Sequence, residues 1–158
     1  MRSFLQDLGD NQPGWRTSPI LLGGFMKQGI QESFKDTNLK LYGCYFISLC
    51  EWACRDSGKD CTEADVNGWF STAKSEKWCE ADCTILKAHS IYNLVYGKNI
   101  YSSFKKSSLP EDKCIICNAK PQYTHFTLKY GSEVWDPLNP NRPAAKTYKI
   151  DSYRVLLV

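Results

Sequence analysis

An α+β domain is the fold class this sequence predicts, with helices first and strands last. Apolar side chains recur at helical spacing through residues 41–96. After about residue 120 the period changes to alternation, with a turn signal in the middle. The chain then closes on the apolar run Val155-Leu156-Leu157-Val158.

Composition bounds what such a domain does. A length of 158 residues sets one domain, 1–158, as the default. Hydrophobic content of 42% with 13% aromatic residues indicates a globular core. A formal charge of +3 without a dense basic stripe argues neither for nucleic acid nor for an anionic membrane surface, so no nucleic-acid partner is expected. No apolar run approaches the roughly 18 residues of a membrane span. Met1 to Asp10 carries acidic residues and no long apolar segment, so no secretory signal is expected. Eight cysteines are many for this length. With Cys44, Cys50 and Cys54 crowded on one helical pattern, reduced thiols in a cytoplasm are the expectation. No cofactor is implied.

Residues 1–19 hold Gly9, Pro13, Gly14 and Pro19 among polar residues and predict an irregular, mobile lead-in. Ile20 to Met26 is apolar with a glycine break, a short strand or buried turn. The central helix starts at Gly43-Cys44. Apolar or half-apolar side chains at 45, 46, 49, 50, 52 and 53 cover most of its circumference, so it belongs inside the domain. Gly58 is its stop. Thr62 to Asp65 predicts an N-cap with an acidic third position, opening a helix with Val66, Trp69, Phe70 and Ala73 on one face. A third helix is predicted from about Asp82 to Tyr96, with His89 on its apolar stripe and Gly97 as its stop. Lys98 to Lys113 predicts a solvated loop. Tyr123–Tyr130, the turn Gly131-Ser132 and Glu133–Leu138 predict a β-hairpin, Asn139–Pro143 a turn, and Thr147–Val158 a last strand.

The hairpin has a chemical consequence. A two-residue loop pairs Tyr130 with Glu133, Leu128 with Trp135 and Thr127 with Asp136. Side chains alternate faces, so Phe126, Leu128, Tyr130, Trp135 and Pro137 share one face and pack on the core. His125, Thr127, Lys129, Val134 and Asp136 share the other. His125 and Asp136 are then diagonal neighbours with Cβ atoms about 7–8 Å apart or less, a gap that imidazole and carboxylate close with a hydrogen bond. Such a carboxylate fixes the ring tautomer and stabilises the imidazolium. Cys44 opens the buried helix, where free backbone N–H groups and the helix dipole favour a thiolate. Cys44, His125 and Asp136 therefore read as a nucleophile, a base and the group that orients the base.

At these residues the sequence resembles the papain-like cysteine peptidase superfamily. Gly43-Cys44 and the aromatic residues after it resemble the nucleophile segment. Thr124-His125-Phe126-Thr127-Leu128 resembles the histidine strand, and Val134-Trp135-Asp136-Pro137 the segment with the third member. The short hairpin and Asp-Pro ending are most like bacterial peptidases that process bacteriocin leaders, and small phage- and plasmid-borne proteins of the same superfamily. The resemblance implies a cysteine-dependent hydrolase, a peptidase or amidase acting on a peptide or protein amide through a thioester, or a related acyltransferase. It implies a central helix carrying the cysteine, packed on a C-terminal antiparallel sheet. It also implies an oxyanion donor six residues before the cysteine, usually Gln, here Asn38, beside the backbone N–H of Cys44. Gln28 and Gln31 are alternatives that need a looped connection.

A second reading is a papain-like fold used as a catalytically inert binding module. Cys79, Cys83, Cys114 and Cys117 are the candidate ligands of a structural four-thiolate zinc site in that case.

Overall fold

A computed structural model of the chain describes residues 26–141 and 148–158. The expectations for the lead-in, for residues 20–25, for the turn's end at 142–143 and for the last strand's start at Thr147 lie outside the described residues. Within them the chain is α+β. A 3-10 turn at Ile30–Ser33 precedes α1 (Thr37–Tyr42), α2 (Cys44–Ser57), α3 (Glu63–Ser75) and α4 (Ala88–Tyr96). Then come β1 (Ser103–Ser107), β2 (Lys113–Lys120), β3 (Tyr123–Tyr130), β4 (Glu133–Trp135) and β5 (Lys149–Leu157). The strands form one antiparallel sheet in the order β1-β5-β2-β3-β4.

The core is built around α2. All ten residues from Tyr45 to Cys54 are buried, as a helix apolar around most of its circumference requires. The helix lies between α4 and β3. Trp52 meets Tyr92 edge-on at 5.4 Å, and Phe46 meets Phe70 at 5.2 Å. Each fully buried side chain of this size contributes about 1.5–3 kcal/mol. Gly58 ends the helix in the left-handed conformation at φ 73°, its N–H donating to Cys54 O.

Ion pairs fix the far end of α2 against the hairpin. Glu51, fully buried, accepts from Met26 N at 2.9 Å and from Arg55 Nε at 2.7 Å. Arg55 reaches on to both carboxylate oxygens of Glu133 at the start of β4, at 2.9 and 3.2 Å. Asp56 accepts from Tyr130 Oη at 2.7 Å and Lys113 Nζ at 2.9 Å. The residues that end α2 thus hold β2, β3 and β4, which sets where its opposite end meets the sheet.

That opposite end is constrained by Gly43, which joins α1 to α2. A Cβ there would sit 2.4 Å from Leu39 O and 2.9 Å from Leu39 Cα, both backbone atoms that cannot swing away. Gly43→Ala is expected to lower unfolding stability by about 1–3 kcal/mol, read from urea midpoints. Cys44 reactivity should fall with it; a neutral substitution would show that α1 yields freely.

The structure corrects the sequence reading in three places. The helix predicted from Asp82 starts only at Ala88. Asp82 Oδ1 instead accepts from Thr84 N at 3.0 Å, Cys83 takes φ 69°, and Cys79 bridges Ile85. Lys98–Lys113 is not all loop, because Ser103–Ser107 forms β1 on β5. Lys105 and Lys106 there fit an edge strand, which charge protects from further pairing. Cys114–Cys117 lies in β2, which pairs with both β3 and β5. Three residues apart on a strand, Cys114 and Cys117 point to opposite faces, so they do not chelate one ion together. Among the described residues no group of three or more His, Cys, Asp or Glu side chains is placed to hold a metal, and the Cys79, Cys83, Cys114 and Cys117 set does not assemble. No described helix is long and apolar enough to cross a membrane.

Candidate active site

The hairpin has the register that its loop length predicts. Tyr130 pairs with Glu133, Lys129 with Val134 and Leu128 with Trp135. Gly131 takes φ 64°, the conformation a tight hairpin turn needs. Leu128 and Trp135 are buried, and Trp135 Nε1 donates to Met26 O at 2.8 Å. On the opposite face His125 Nε2 meets Asp136 Oδ1 at 2.7 Å, both side chains nearly buried.

Asp136 is held by the chain around it. Its Oδ1 also accepts from Leu138 N at 2.8 Å. Its backbone N–H donates to Gln28 Oε1 at 3.0 Å, and its carbonyl accepts from Gly29 N at 3.2 Å. Pro137 O accepts from Gln31 N at 2.9 Å. The segment 28–31 therefore fixes the end of β4, a positioning role for Gln28 that sequence reasoning missed. His125 is steadied by Asn118 opposite it on β2, whose Nδ2 donates to His125 O at 3.1 Å and to Thr127 Oγ1 at 3.2 Å. The Tyr148 ring lies 5.9 Å from the imidazole.

With Nε2 on Asp136, Nδ1 is the ring nitrogen left for a second partner, and Cys44 is the neighbouring thiol that helps to raise the ring's pKa. Burial pulls the His125 pKa down, but the hydrogen bonds to Asp136 and Cys44 outweigh it and hold the value up at about 9. The ring thus holds its proton more tightly than a free imidazole does, beside a sulfur at the N-terminus of α2. The first turn of a helix leaves backbone N–H groups without intrahelical acceptors, here those that begin at Cys44.

No family model, curated protein or solved structure matches this chain.

The Cys44 side chain is half-exposed and opens into a cleft of about 520 Å³. Leu41, Tyr42 and Ile85 wall one part of it, and Tyr123, Phe126 and Arg154 another. Cys83 also lines the cleft, but burial pushes its thiol up to about 12 and it donates to Asn38 O at 3.5 Å. Asn38 itself is half-buried on α1; its carbonyl faces Cys83, and the residue is not among those lining the cleft. Gln31 is buried, its Nε2 donating to Lys40 O at 3.1 Å, and the Gln28 amide oxygen is engaged by Asp136. The structure therefore brings Cys44, His125 and Asp136 together, with the first-turn amides of α2 beginning at the cysteine itself. His89 lies elsewhere, its ring stacked 5.8 Å from Phe104.

Proposed function

We propose that this protein is a cysteine-dependent acyl-transfer enzyme of papain-like type, a peptidase or amidase acting on a peptide or protein amide. The observation that carries the reading is an imidazole bonded to a buried carboxylate, next to a thiol that opens a helix in a cleft. Cys44 is the nucleophile, His125 the acid and base, and Asp136 the group that orients His125 and balances its charge.

The Cys44 thiolate attacks the substrate carbonyl carbon, and the carbonyl π pair moves onto oxygen. The backbone N–H of Cys44 receives that oxyanion. As the C–N bond breaks, the His125 imidazolium gives its proton to the departing nitrogen and an amine leaves, with a thioester on Cys44. Neutral His125 then takes a proton from water, whose oxygen attacks the thioester. The acid product leaves and the thiolate–imidazolium pair returns. An amine in place of water gives transfer instead of hydrolysis. Asn38 enters this scheme only if its amide reaches the cleft on substrate binding.

The eight cysteines lie free of disulfides, which suits a cytoplasmic thiol enzyme. The reading is tested with a peptide-amide library and mass spectrometry of products. The expected result is cleavage of some members, with an acyl adduct on Cys44 and none in Cys44→Ala. Cleavage that persists in Cys44→Ala, or no adduct on Cys44 from any member, contradicts it.

A further inference from the structure

We infer that the cleft takes substrates bearing a carboxylate, and that Arg154 is the residue that selects them. The inference rests on the proposed thiol chemistry and goes beyond it to substrate class. Arg154 is the one Lys or Arg among the described residues lining the cleft. It projects from β5, an interior strand, and its guanidinium lies 5.6 Å from the Phe126 ring centroid. Its Nη1 donates to Ser152 Oγ at 2.8 Å, and more weakly to Tyr153 O at 3.4 Å. Both acceptors are neutral, and Ser152 Oγ passes on a hydrogen bond to Asp151 Oδ2 at 2.8 Å, a carboxylate that also faces Lys106 at 3.9 Å. Among the described residues no carboxylate lies within ion-pair distance of Arg154.

A guanidinium offers five N–H donors in a planar fork that matches a carboxylate. Among the described residues the bonds of Arg154 run from Nη1, which leaves Nη2 and Nε as the donors for such a ligand. Tyr45, more than nine-tenths buried, stacks on Phe126 at 4.4 Å and backs the ring under the guanidinium. The wall thus carries one cation beside the nucleophile. The acid facing the cleft, Asp82, is fully exposed and engaged in its own turn with Thr84, so solvent screens its charge. A single cation set in an apolar wall favours a carboxylate over a phosphate, which usually recruits several donors.

The test compares two alkylating probes of nearly equal size, anionic iodoacetate and neutral iodoacetamide. Rates at Cys44 are read from its tryptic peptide at pH 7, in wild type, Arg154→Gln and Arg154→Lys. The His125 charge contributes equally in all three, so the change in the iodoacetate-to-iodoacetamide ratio reports Arg154. The ratio is expected to fall roughly 5- to 20-fold in Arg154→Gln and to stay within about 3-fold of wild type in Arg154→Lys. An unchanged ratio in Arg154→Gln overturns the inference. Arg154→Met, which keeps the apolar stem over Phe126, replaces Gln if that variant loses the wild-type thermal transition. Protection of Cys44 by N-acetylglutamic acid α-amide marks a side-chain carboxylate as the source, and protection by N-acetyl-leucine a chain-terminal one. Failure of the thiol-enzyme reading shows separately, as an iodoacetamide rate at Cys44 that is unchanged in His125→Ala, with the ratio still readable.

Discussion

His125→Ala is expected to cut turnover of any amide substrate by about 10²- to 10⁴-fold, the usual contribution of a positioned acid and base. The loss should fall on kcat, because His125 acts on the leaving group and is not itself among the residues walling the cleft. Two functions disappear together. The imidazolium that faces the sulfur is removed, and so is the proton that the departing amine needs. His125→Ala also leaves Asp136 nearly buried without its cationic partner, so stability must be checked by thermal melting before the rate is interpreted. A loss confined to KM would assign His125 to binding alone.

Asp136→Asn tests the pair from the other side. The His125 pKa of about 9 lies above its ordinary 6.5, so the proton binds the folded state more tightly than the unfolded one. The stabilisation is fully present below pH 6.5 and is lost as pH rises through about 9. Its ceiling is about 3 kcal/mol, from the size of the shift. In Cys44→Ser, where no thiolate offsets the proton that the ring holds, stability to urea should therefore fall as pH rises from 6.5, and this slope should flatten when Asp136→Asn is added. At pH 6 the double variant is expected to be about 1–2 kcal/mol less stable than Cys44→Ser, the share of the shift that Asp136 supplies. Asn keeps an oxygen for Leu138 N, so the turn after β4 survives and the difference reports the His125 charge. Equal slopes in the two proteins would mean that Asp136 does not set the protonation of His125.

Much of this site is legible in the chain because it follows from counting. A two-residue loop at Gly131-Ser132 fixes the register, and the register places His125 and Asp136 on one face. The burial of α2 follows from its nearly unbroken apolar surface, and α3 from its capping box, in which Thr62 and Asp65 exchange hydrogen bonds. What the sequence hides is set by tertiary partners. β2 is buried along Cys114–Cys117, so its residues show no alternation and suggest a metal pair instead of a strand. β1 carries two lysines and exists through its pairing with β5. Ile85 sits three residues before Ala88 and mimics a helical stripe, while the Asp82–Thr84 turn and the Cys79–Ile85 bridge delay the helix. Gln28 and Gln31 lie far from Asp136 in sequence, and nothing local shows that their segment clamps it. The crowding at Gly43 is likewise a matter of how closely Leu39 approaches.

The central claim is that His125 and Asp136 activate Cys44. The most direct measurement is the rate of Cys44 alkylation by iodoacetamide from pH 5 to 10, resolved from the other cysteines by peptide mass spectrometry. The same cysteine in His125→Ala serves as the reference, because Cys61 is hydrogen-bonded to Cys54 and its burial raises its thiol pKa. A thiolate–imidazolium pair predicts that Cys44 at pH 6 already reacts within a few-fold of its rate at pH 8, and far faster than in His125→Ala. A rate that climbs about tenfold per pH unit between 6 and 8, as an ordinary free thiol does, and is unchanged in His125→Ala, would contradict it.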